Sequence, residues 1–284
     1  MRQSFIGFVL AGSLLPLIVG CGGELGGALS DVVAGATGGS QSKEAQLFAA
    51  GAKGVEAMTL SDQRAKEIGE SVAVAVINQP DMRLSTDDAL NAYVTKVGLT
   101  VASVSDRTDI NYTFGVLESA KPNALSMPGG YIFITRGALL SMQDESELAG
   151  VLAHEVGHIC KQHGKNALKA VKGTEALVQA ATADEELQQL RGVVDASVKE
   201  LTKPFGQGEE NSADAEAVKI LKLAGYDPNG LARFLSRMSQ KSSAGGINMS
   251  THPVTADRIT RITAAAGGTS GVTLKERFAA NVKR

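Results

Sequence analysis

The 284-residue chain lacks tryptophan, and aromatic residues make up only 4% of it. Hydrophobic residues still amount to 43%, so we expect a packed core that is mainly aliphatic. An excess of charge of one sign is also missing, since 28 Lys and Arg face 30 Asp and Glu. This balance argues against a basic surface for nucleic acid, and no nucleic acid partner is predicted.

Cysteine is scarce, with only Cys21 and Cys160 in the chain. Cys21 ends an apolar N-terminal segment, whereas Cys160 lies inside a helical pattern. These different contexts argue against a disulfide. Cys160 is therefore expected to be a small buried apolar residue and not a ligand or a nucleophile.

Residues 1–20 are typical of a bacterial lipoprotein signal peptide. Arg2 supplies the positive charge, and residues 5–19 are apolar but too short and interrupted to span a membrane comfortably. The sequence Leu-Ile-Val-Gly directly before Cys21 resembles a lipobox, so Cys21 is predicted to carry the lipid that anchors the protein. Gly22 favours the outer membrane, facing the periplasm. The alternative is ordinary cleavage next to an incidental cysteine.

The rest of the chain divides into a linker and one domain. Residues 21–43 are rich in Gly, Ala and Ser and are predicted to be a flexible tether. Residues 44–284 contain no internal repeat and are predicted to form one domain. Its clearest local patterns predict helices over residues 61–77, 85–103 and 209–223 and strands over residues 110–117 and 131–135.

Start and stop signals refine these predictions. Asp144 and Glu147 resemble a capping box that opens a helix running past residue 158. Gly225 is expected to end the helix over residues 209–223. Asp227 and Pro228 would then start the next helix as its cap and first residue.

An HExxH motif, formed by His154, Glu155 and His158, carries most of the chemical information in the sequence. Four residues apart on a helix, the two histidines share one face and can bind one metal ion. Glu155 can reach a water at that ion and act as a general base. The motif also occurs by chance, but residues 146–159 are apolar where a half-buried helix requires it. We therefore expect one Zn²⁺ per chain.

A catalytic zinc site takes three protein ligands and leaves a fourth position open. Glu210 is the best candidate for the third ligand, and Asp214 follows four residues later on the same predicted helix face. Asp214 can accept a hydrogen bond from the outer nitrogen of a ligand histidine. Considered alone, Glu209 and Glu210 are better explained as the acidic start of a solvated helix. Because an HExxH motif is also present, the interpretation of Glu210 as a metal ligand is preferred.

Over residues 60–265 the chain resembles the M48 metallopeptidases, because several motifs occur in the same order. They are Asn123-Ala124, Pro128-Gly129-Gly130-Tyr131-Ile132-Phe133, His154-Glu155-Val156-Gly157-His158, Glu210-Asn211-Ser212-Ala213-Asp214, Ala224-Gly225-Tyr226-Asp227-Pro228 and Thr251-His252-Pro253 ahead of Arg258. The chain departs from the family at Ser212 and at Ala215-Glu216, where bulkier or basic residues are common.

The resemblance implies an α+β fold, a mostly helical, gluzincin-like zincin domain with a small β-sheet beside the HExxH helix. It also implies zinc on His154, His158 and Glu210. By analogy with the family, the substrates would be unfolded or misassembled cell-envelope proteins, and outer-membrane assembly machinery is a candidate partner.

Three further residues bear on the site. In a continuous helix His163 would lie about 140° around from His158, so it is predicted to be a surface or packing residue. His252 lies in a turn that the resemblance places near the active cleft. It is either an ordinary turn residue or a regulatory group that occupies the open zinc position. Arg258 either holds that loop or stabilises an oxyanion, and the alternative is a surface ion pair.

The predicted activity is that of a zinc metalloendopeptidase. The alternative is a non-proteolytic envelope chaperone or assembly lipoprotein that keeps a structural zinc, against which the intact Glu155 argues. A membrane-embedded protease of the CAAX type is disfavoured, because no apolar run of about 20 residues follows the signal. The strand over residues 131–135 is either a pairing edge for an extended substrate or an ordinary core strand.

Overall fold

The computed structural model describes residues 60–171, 183–243 and 251–283. The predicted signal peptide, the tether and Cys21 lie outside the described residues. Helices dominate the described ranges. Their bounds are α1 (Asp62–Ile77), α2 (Asp88–Ala102), α3 (Arg136–Leu140), α4 (Glu145–Cys160), α5 (His163–Lys169), α6 (Ala183–Leu201), α7 (Gln207–Ala224), α8 (Gly230–Ser243), α9 (Ala256–Ala266) and α10 (Lys275–Asn281).

A small sheet of three strands packs beside the helices. It consists of β1 (Thr113–Leu117), β2 (Ala124–Met127) and β3 (Tyr131–Thr135), in the order β1-β3-β2. β3 pairs in parallel with β1 and antiparallel with β2. Because both edges of β3 are occupied, it cannot take an extended substrate as a neighbour. The substrate-pairing alternative for residues 131–135 is therefore wrong, and the strand belongs to the core.

Helix α4 lies at the centre of the domain. Every residue from Glu145 to Ile159 is buried, as expected for a helix that is covered on all sides. It packs against α2, α7, α8 and β2. Gly157 allows a close approach of α7, because a Cβ at this position would lie 2.9 Å from the carbonyl oxygen of Ala213. This contact brings α7 alongside the HExxH face of α4.

Local sequence signals explain most of the boundaries. Ser61 caps α1 and Asp87 caps α2, each by accepting a hydrogen bond from a backbone N–H three residues later. The second predicted helix therefore begins at Asp88, three residues after the predicted start. Gly225 ends α7 with a left-handed conformation at φ 77°.

Two predicted start signals work differently from the expectation. Asp144 caps α4, but the Glu147 side chain accepts from the backbone of Gln143 and not from Asp144, so the reciprocal capping box is incomplete. Asp227 accepts from the backbone N–H of Asn229 at 3.0 Å. This bond builds a separate turn, and α8 begins only at Gly230.

The architecture agrees with the predicted class. A mostly helical α+β domain carries a small sheet beside the HExxH helix. Across the described ranges, no helix combines the length and the apolar character that a membrane crossing requires.

Candidate metal centre

Four side chains converge at the C-terminal half of α4. They are His154, His158, Glu210 and His252, all buried, with ligand atoms within 4.8 Å of one another. The Nε2 atoms of His154 and His158 are 3.0 Å apart. Nδ1 of His252 lies 3.3 Å from Nε2 of His154 and 2.8 Å from Oε1 of Glu210. The structure thus brings together the three predicted ligands and the residue predicted near the open position.

The outer nitrogen of His154 has an anionic partner. Its Nδ1 lies 2.9 Å from Oδ1 of Asp214. Arg258 holds that carboxylate from the other side, donating from Nε and Nη2 over 2.8 Å each. Nη1 of Arg258 also lies 2.5 Å from Oε2 of Glu210 and donates to the carbonyl of Pro253. Arg258 is only 2% exposed, so the surface ion-pair alternative is wrong.

The outer nitrogen of His158 has a neutral partner instead. Its Nδ1 lies 2.8 Å from Nδ1 of His163, whose Nε2 is 3.1 Å from the hydroxyl of Ser212. Phe205 stacks on the His158 ring at a centroid distance of 4.3 Å. His163 is therefore buried against the site, and its prediction as a surface or packing residue was incomplete.

His163 lies beside His158 because the helix breaks between the two residues. The prediction assumed one continuous helix, but α4 ends at Cys160 and α5 begins at His163. Gln162 between them has a left-handed conformation at φ 58°. This turn swings His163 back toward His158. A left-handed glutamine has no clear sequence signal, since Gly, Asn or Asp are the residues that favour such a turn.

Glu155 points into the same cluster. Its Oε2 accepts a hydrogen bond from the Ser126 hydroxyl on β2 at 2.7 Å. Its Oε1 lies 3.2 Å from Nε2 of His252. Only Oε2 makes a hydrogen bond, and the buried Oε1 has no hydrogen-bond partner among the described residues. Ser126 is a contact that the sequence did not predict, because it depends on β2 lying directly beside α4.

The donor set fits a divalent cation. The cluster holds the carboxylates of Glu155, Glu210 and Asp214 but only one guanidinium, that of Arg258. Two negative charges are therefore left over in a buried site, and buried charge is costly unless it is compensated. A divalent cation supplies the missing charge.

Distances lead to the same conclusion. Bonds of about 2.0–2.1 Å in a tetrahedron place neighbouring ligand atoms about 3.3 Å apart. Five close contacts among the four clustered side chains span 2.8–3.5 Å. Three imidazole nitrogens and a carboxylate are also donors that Zn²⁺ commonly takes. The residues present therefore fit the metal that the HExxH motif predicts.

The pKa shifts follow from burial and from the excess negative charge. Burial opposes the charged form of His154, but Asp214 and Glu210 outweigh burial and raise its pKa to about 9. Burial disfavours ionised Glu210, yet its contacts with His154, His158 and His252 lower its pKa overall. Burial dominates at His158 and lowers its pKa. A cation bound here would replace the proton that His154 attracts.

Cys160 lies at the end of α4 and is not part of the cluster. It is partly buried and packs against the main core, as a small apolar residue would. Burial raises the pKa of its thiol. A raised pKa disfavours the reactive thiolate, in agreement with the prediction that Cys160 is not a nucleophile.

Comparison with known proteins agrees with this geometry. The family model of peptidase family M48 matches residues 88–266. The chain is 25% identical to the metalloprotease LoiP of Escherichia coli over 223 residues, covering 76% of this chain and 86% of LoiP. It is 28% identical to the mitochondrial metalloendopeptidase OMA1 of Schizosaccharomyces pombe over 187 residues, covering 64% of this chain and 55% of the relative.

A third relative is the beta-barrel assembly-enhancing protease of Escherichia coli, 23% identical over 189 residues. This match covers 62% of the chain but only 39% of that relative. The chain thus spans well under two thirds of the length of the latter two proteins. The matched range contains α4, α7, His252 and Arg258, which together form the buried cluster. The chain belongs to peptidase family M48.

Proposed function

We propose that the chain is a zinc-dependent endopeptidase that hydrolyses unfolded or misassembled polypeptides of a bacterial cell envelope. Family membership and the names of the relatives support a metalloprotease. The observation that carries the proposal is Glu155, a carboxylate at hydrogen-bonding distance from the edge of a buried three-histidine, one-glutamate cluster. A purely structural metal site would have no use for such a base.

His154, His158 and Glu210 would hold the ion. When bound, zinc polarises a carbonyl and makes water more acidic. Glu155 then takes the proton of the attacking water and returns it to the leaving amine. Asp214, held by Arg258, keeps the ring of His154 oriented through its outer nitrogen.

His252 would act as a gate in this mechanism. Its Nδ1 lies 2.8 Å from Glu210 and its Nε2 lies 3.2 Å from Glu155, so the imidazole would take the fourth ligand position and would block access to the base. The neighbouring Thr251 hydroxyl donates to Oδ1 of Asn123 at 2.8 Å and lies 3.3 Å from the carbonyl oxygen of Ala124, at the outer edge of β2. Moving this loop would free the base and the edge strand together, so the arrangement with His252 in the cluster would be the latent form.

The anchor and the partners belong to the same proposal. Cys21 would carry the lipid, which locates the domain at the outer membrane facing the periplasm. The name of the beta-barrel assembly-enhancing protease supports substrates or partners in outer-membrane assembly. Replacing Cys21 with Ala should release the protein from membranes while its soluble activity remains. Unchanged membrane association would rule out this anchor.

The test of the activity is digestion of casein or another unfolded protein, with and without a chelator. Glu155→Gln should retain zinc and lose about 10²–10⁴-fold in rate, since that is the usual contribution of a general base. A Gln variant that cleaves at the wild-type rate would refute the mechanism. A wild-type protein that binds zinc and suppresses aggregation but never cleaves would favour the chaperone alternative.

The gate has its own test. His252→Ala should raise basal cleavage while His154, His158 and Glu210 keep the metal bound. Thr251→Val should raise it too, because it releases the loop without removing the imidazole. A drop in rate for His252→Ala would instead indicate a role in the transition state. No change in either variant would leave His252 as an ordinary turn residue.

A further inference from the structure

His163 and Ser212 are the two polar residues behind His158 that the proposed mechanism does not use. His163 opens α5, three residues after α4 ends, and is 9% exposed. Its ring meets that of His158 edge-on, with centroids 4.8 Å apart and planes at 73°. Their Nδ1 atoms are separated by 2.8 Å, while Nε2 of His158 faces the metal ligands.

The direction of each hydrogen bond in the series His158–His163–Ser212 follows from the Ser212 end of the series. The Ser212 hydroxyl lies 3.0 Å from the carbonyl of Glu209, which can only accept, so the serine proton points there. Ser212 must then accept from Nε2 of His163, at 3.1 Å. With its proton on Nε2, neutral His163 offers a lone pair at Nδ1.

The same argument determines the tautomer of His158. Two imidazole nitrogens 2.8 Å apart repel unless a proton lies between them. His163 contributes a lone pair, so the proton belongs to Nδ1 of His158. Nε2 of His158 is then a lone pair directed at the cluster, which is the form that binds a metal.

A neutral partner suits this side of the site. The outer nitrogen of His154 already contacts the carboxylate of Asp214, and the cluster carries two uncompensated negative charges. A second carboxylate behind His158 would raise this excess to three, more than one divalent cation offsets. A histidine and a serine orient the ring without adding charge.

The backbone holds this partner in place. Gln162, at φ 58°, turns the chain so that His163 faces back toward α4. Gly164 then lets α5 seat closely on the turn after β2, because a Cβ there would be 3.1 Å from the ring of Pro128. His163 therefore has little freedom to move away from His158.

We propose that His163 and Ser212 form a neutral relay that fixes the tautomer and orientation of His158 and so sets the affinity for the metal. His163 is a positioning residue, and it acts only through His158. The proposal rests on the proposed function, in that His158 holds a metal ion. Ser212 is also one of the positions at which the chain departs from the family motif.

Two substitutions at His163 separate hydrogen bonding from packing. His163→Phe keeps an aromatic ring but removes both nitrogens, whereas His163→Asn keeps an acceptor where Nδ1 stood. Loss of such an outer partner typically weakens metal binding about 10–100-fold. We expect that loss in the Phe variant and recovery of most of the affinity in the Asn variant, measured as the Kd for Zn²⁺ by competition with a chelator.

Matched measurements guard against a merely structural effect. Phe205→Leu removes the ring stacked on His158 without touching Nδ1 and should bind Zn²⁺ nearly as tightly as the wild type. Ser212→Ala should have an intermediate effect. The absorption spectrum of the Co²⁺-loaded protein should change in His163→Phe and return toward the wild-type spectrum in His163→Asn. Equal affinity in the wild-type protein and His163→Phe would overturn the relay.

A second measurement needs no variant, in case His163→Phe fails to fold. Long-range ¹H–¹⁵N NMR of the Zn²⁺-loaded wild-type protein should show His163 protonated at Nε2 and His158 protonated at Nδ1. Protonation of His163 at Nδ1, or at both nitrogens, would overturn the relay. A wild-type protein that binds no Zn²⁺ at all would instead refute the proposed function.

Discussion

The two ends of α4 are equally buried, yet they differ in how their buried negative charges are compensated. At the N-terminal end, each buried carboxylate has a guanidinium partner: Arg277 contacts Glu145, and Arg237 contacts Glu147. At the C-terminal end, Glu210 and Asp214 share the guanidinium of Arg258, and Glu155 contacts no guanidinium within the described ranges. At the N-terminal end the protein itself compensates the buried negative charge, whereas the C-terminal end requires a bound cation.

The N-terminal end is accordingly a structural network. Glu145, with no exposed surface, accepts from the hydroxyls of Tyr93 at 2.9 Å and Tyr226 at 2.6 Å. These bonds tie α2 and the turn after α7 to the start of α4, while Arg277 adds α10. Four parts of the chain therefore converge on one carboxylate whose charge is satisfied. Nothing in this network is left to bind a ligand.

The largest expected difference between the two ends concerns metal removal. A ligand that binds only the folded protein stabilises it by about 4 kcal/mol at 1,000 times its Kd. Chelation of a zinc-loaded sample should therefore lower the thermal midpoint substantially, and added Zn²⁺ should restore it. Glu210→Gln should be nearly insensitive to the chelator. An identical midpoint for wild-type protein with and without chelator would contradict the inferred charge deficit.

The next effect tests the network at the N-terminal end. Arg237→Met removes the closest cation from Glu147, which has no exposed surface. Breaking a buried pair costs about 3–5 kcal/mol, and we expect about 3 here because Arg237 is partly exposed and Arg233 remains at 3.8 Å. The measurement is urea unfolding of the metal-free protein. Zinc affinity and cleavage per folded molecule should not change. A loss of zinc affinity would show that the two ends are coupled.

Features with local sequence signals could be predicted. The helix α1, the strand β3 and the end of α7 at Gly225 were predicted because their signals are local: apolar residues at helical intervals, a β-branched and aromatic run, and a glycine. HExxH and its family motifs pointed to the three ligands in the same way. Family membership and the α+β class are confirmed, whereas the roles of individual site residues stay predictions.

Contacts between distant segments could not be predicted in this way. Ser126 reaches Glu155 because β2 lies beside α4, and no spacing in the sequence encodes that contact. His163 required a helix break at a glutamine that carries no turn signal. The pairing of Glu145 with Arg277 joins residues 132 positions apart. These features depend on tertiary packing, which periodicity does not report.

Acid stability offers a smaller test of the N-terminal network. Burial opposes ionisation of Glu145, but Arg277, Tyr226 and Tyr93 together lower its pKa below the ordinary value of about 4.3. Its contribution to stability is therefore complete above pH about 4.3 and is lost as the pH falls through the folded-state pKa.

Glu145→Gln should thus cost about 2 kcal/mol near pH 7, and the cost should shrink in acid. Urea unfolding of the metal-free protein between pH 7 and pH 3 measures both values. Asp257→Asn is the matched control, because its exposed pair with Arg261 should contribute less than about 1 kcal/mol at any pH. A Glu145→Gln penalty that grows in acid would contradict the assigned direction of the pKa shift.

The smallest effect concerns the backbone at the two ends of α4. Asp144 caps the N-terminal end from an extended conformation, whereas the C-terminal end runs into Gln162 at φ 58°. A left-handed conformation costs a non-glycine residue about 1–2 kcal/mol, and glycine avoids this cost but loses about 0.5–1 kcal/mol in chain entropy. The balance predicts that Gln162→Gly stabilises the metal-free protein by about 0.5–1 kcal/mol in urea unfolding. Zinc affinity should stay at the wild-type value, because Gly164 still seats α5 against Pro128 and keeps His163 facing His158. Increased stability with weaker zinc binding would mean that the strained turn itself, and not the packing of α5, holds His163 in place.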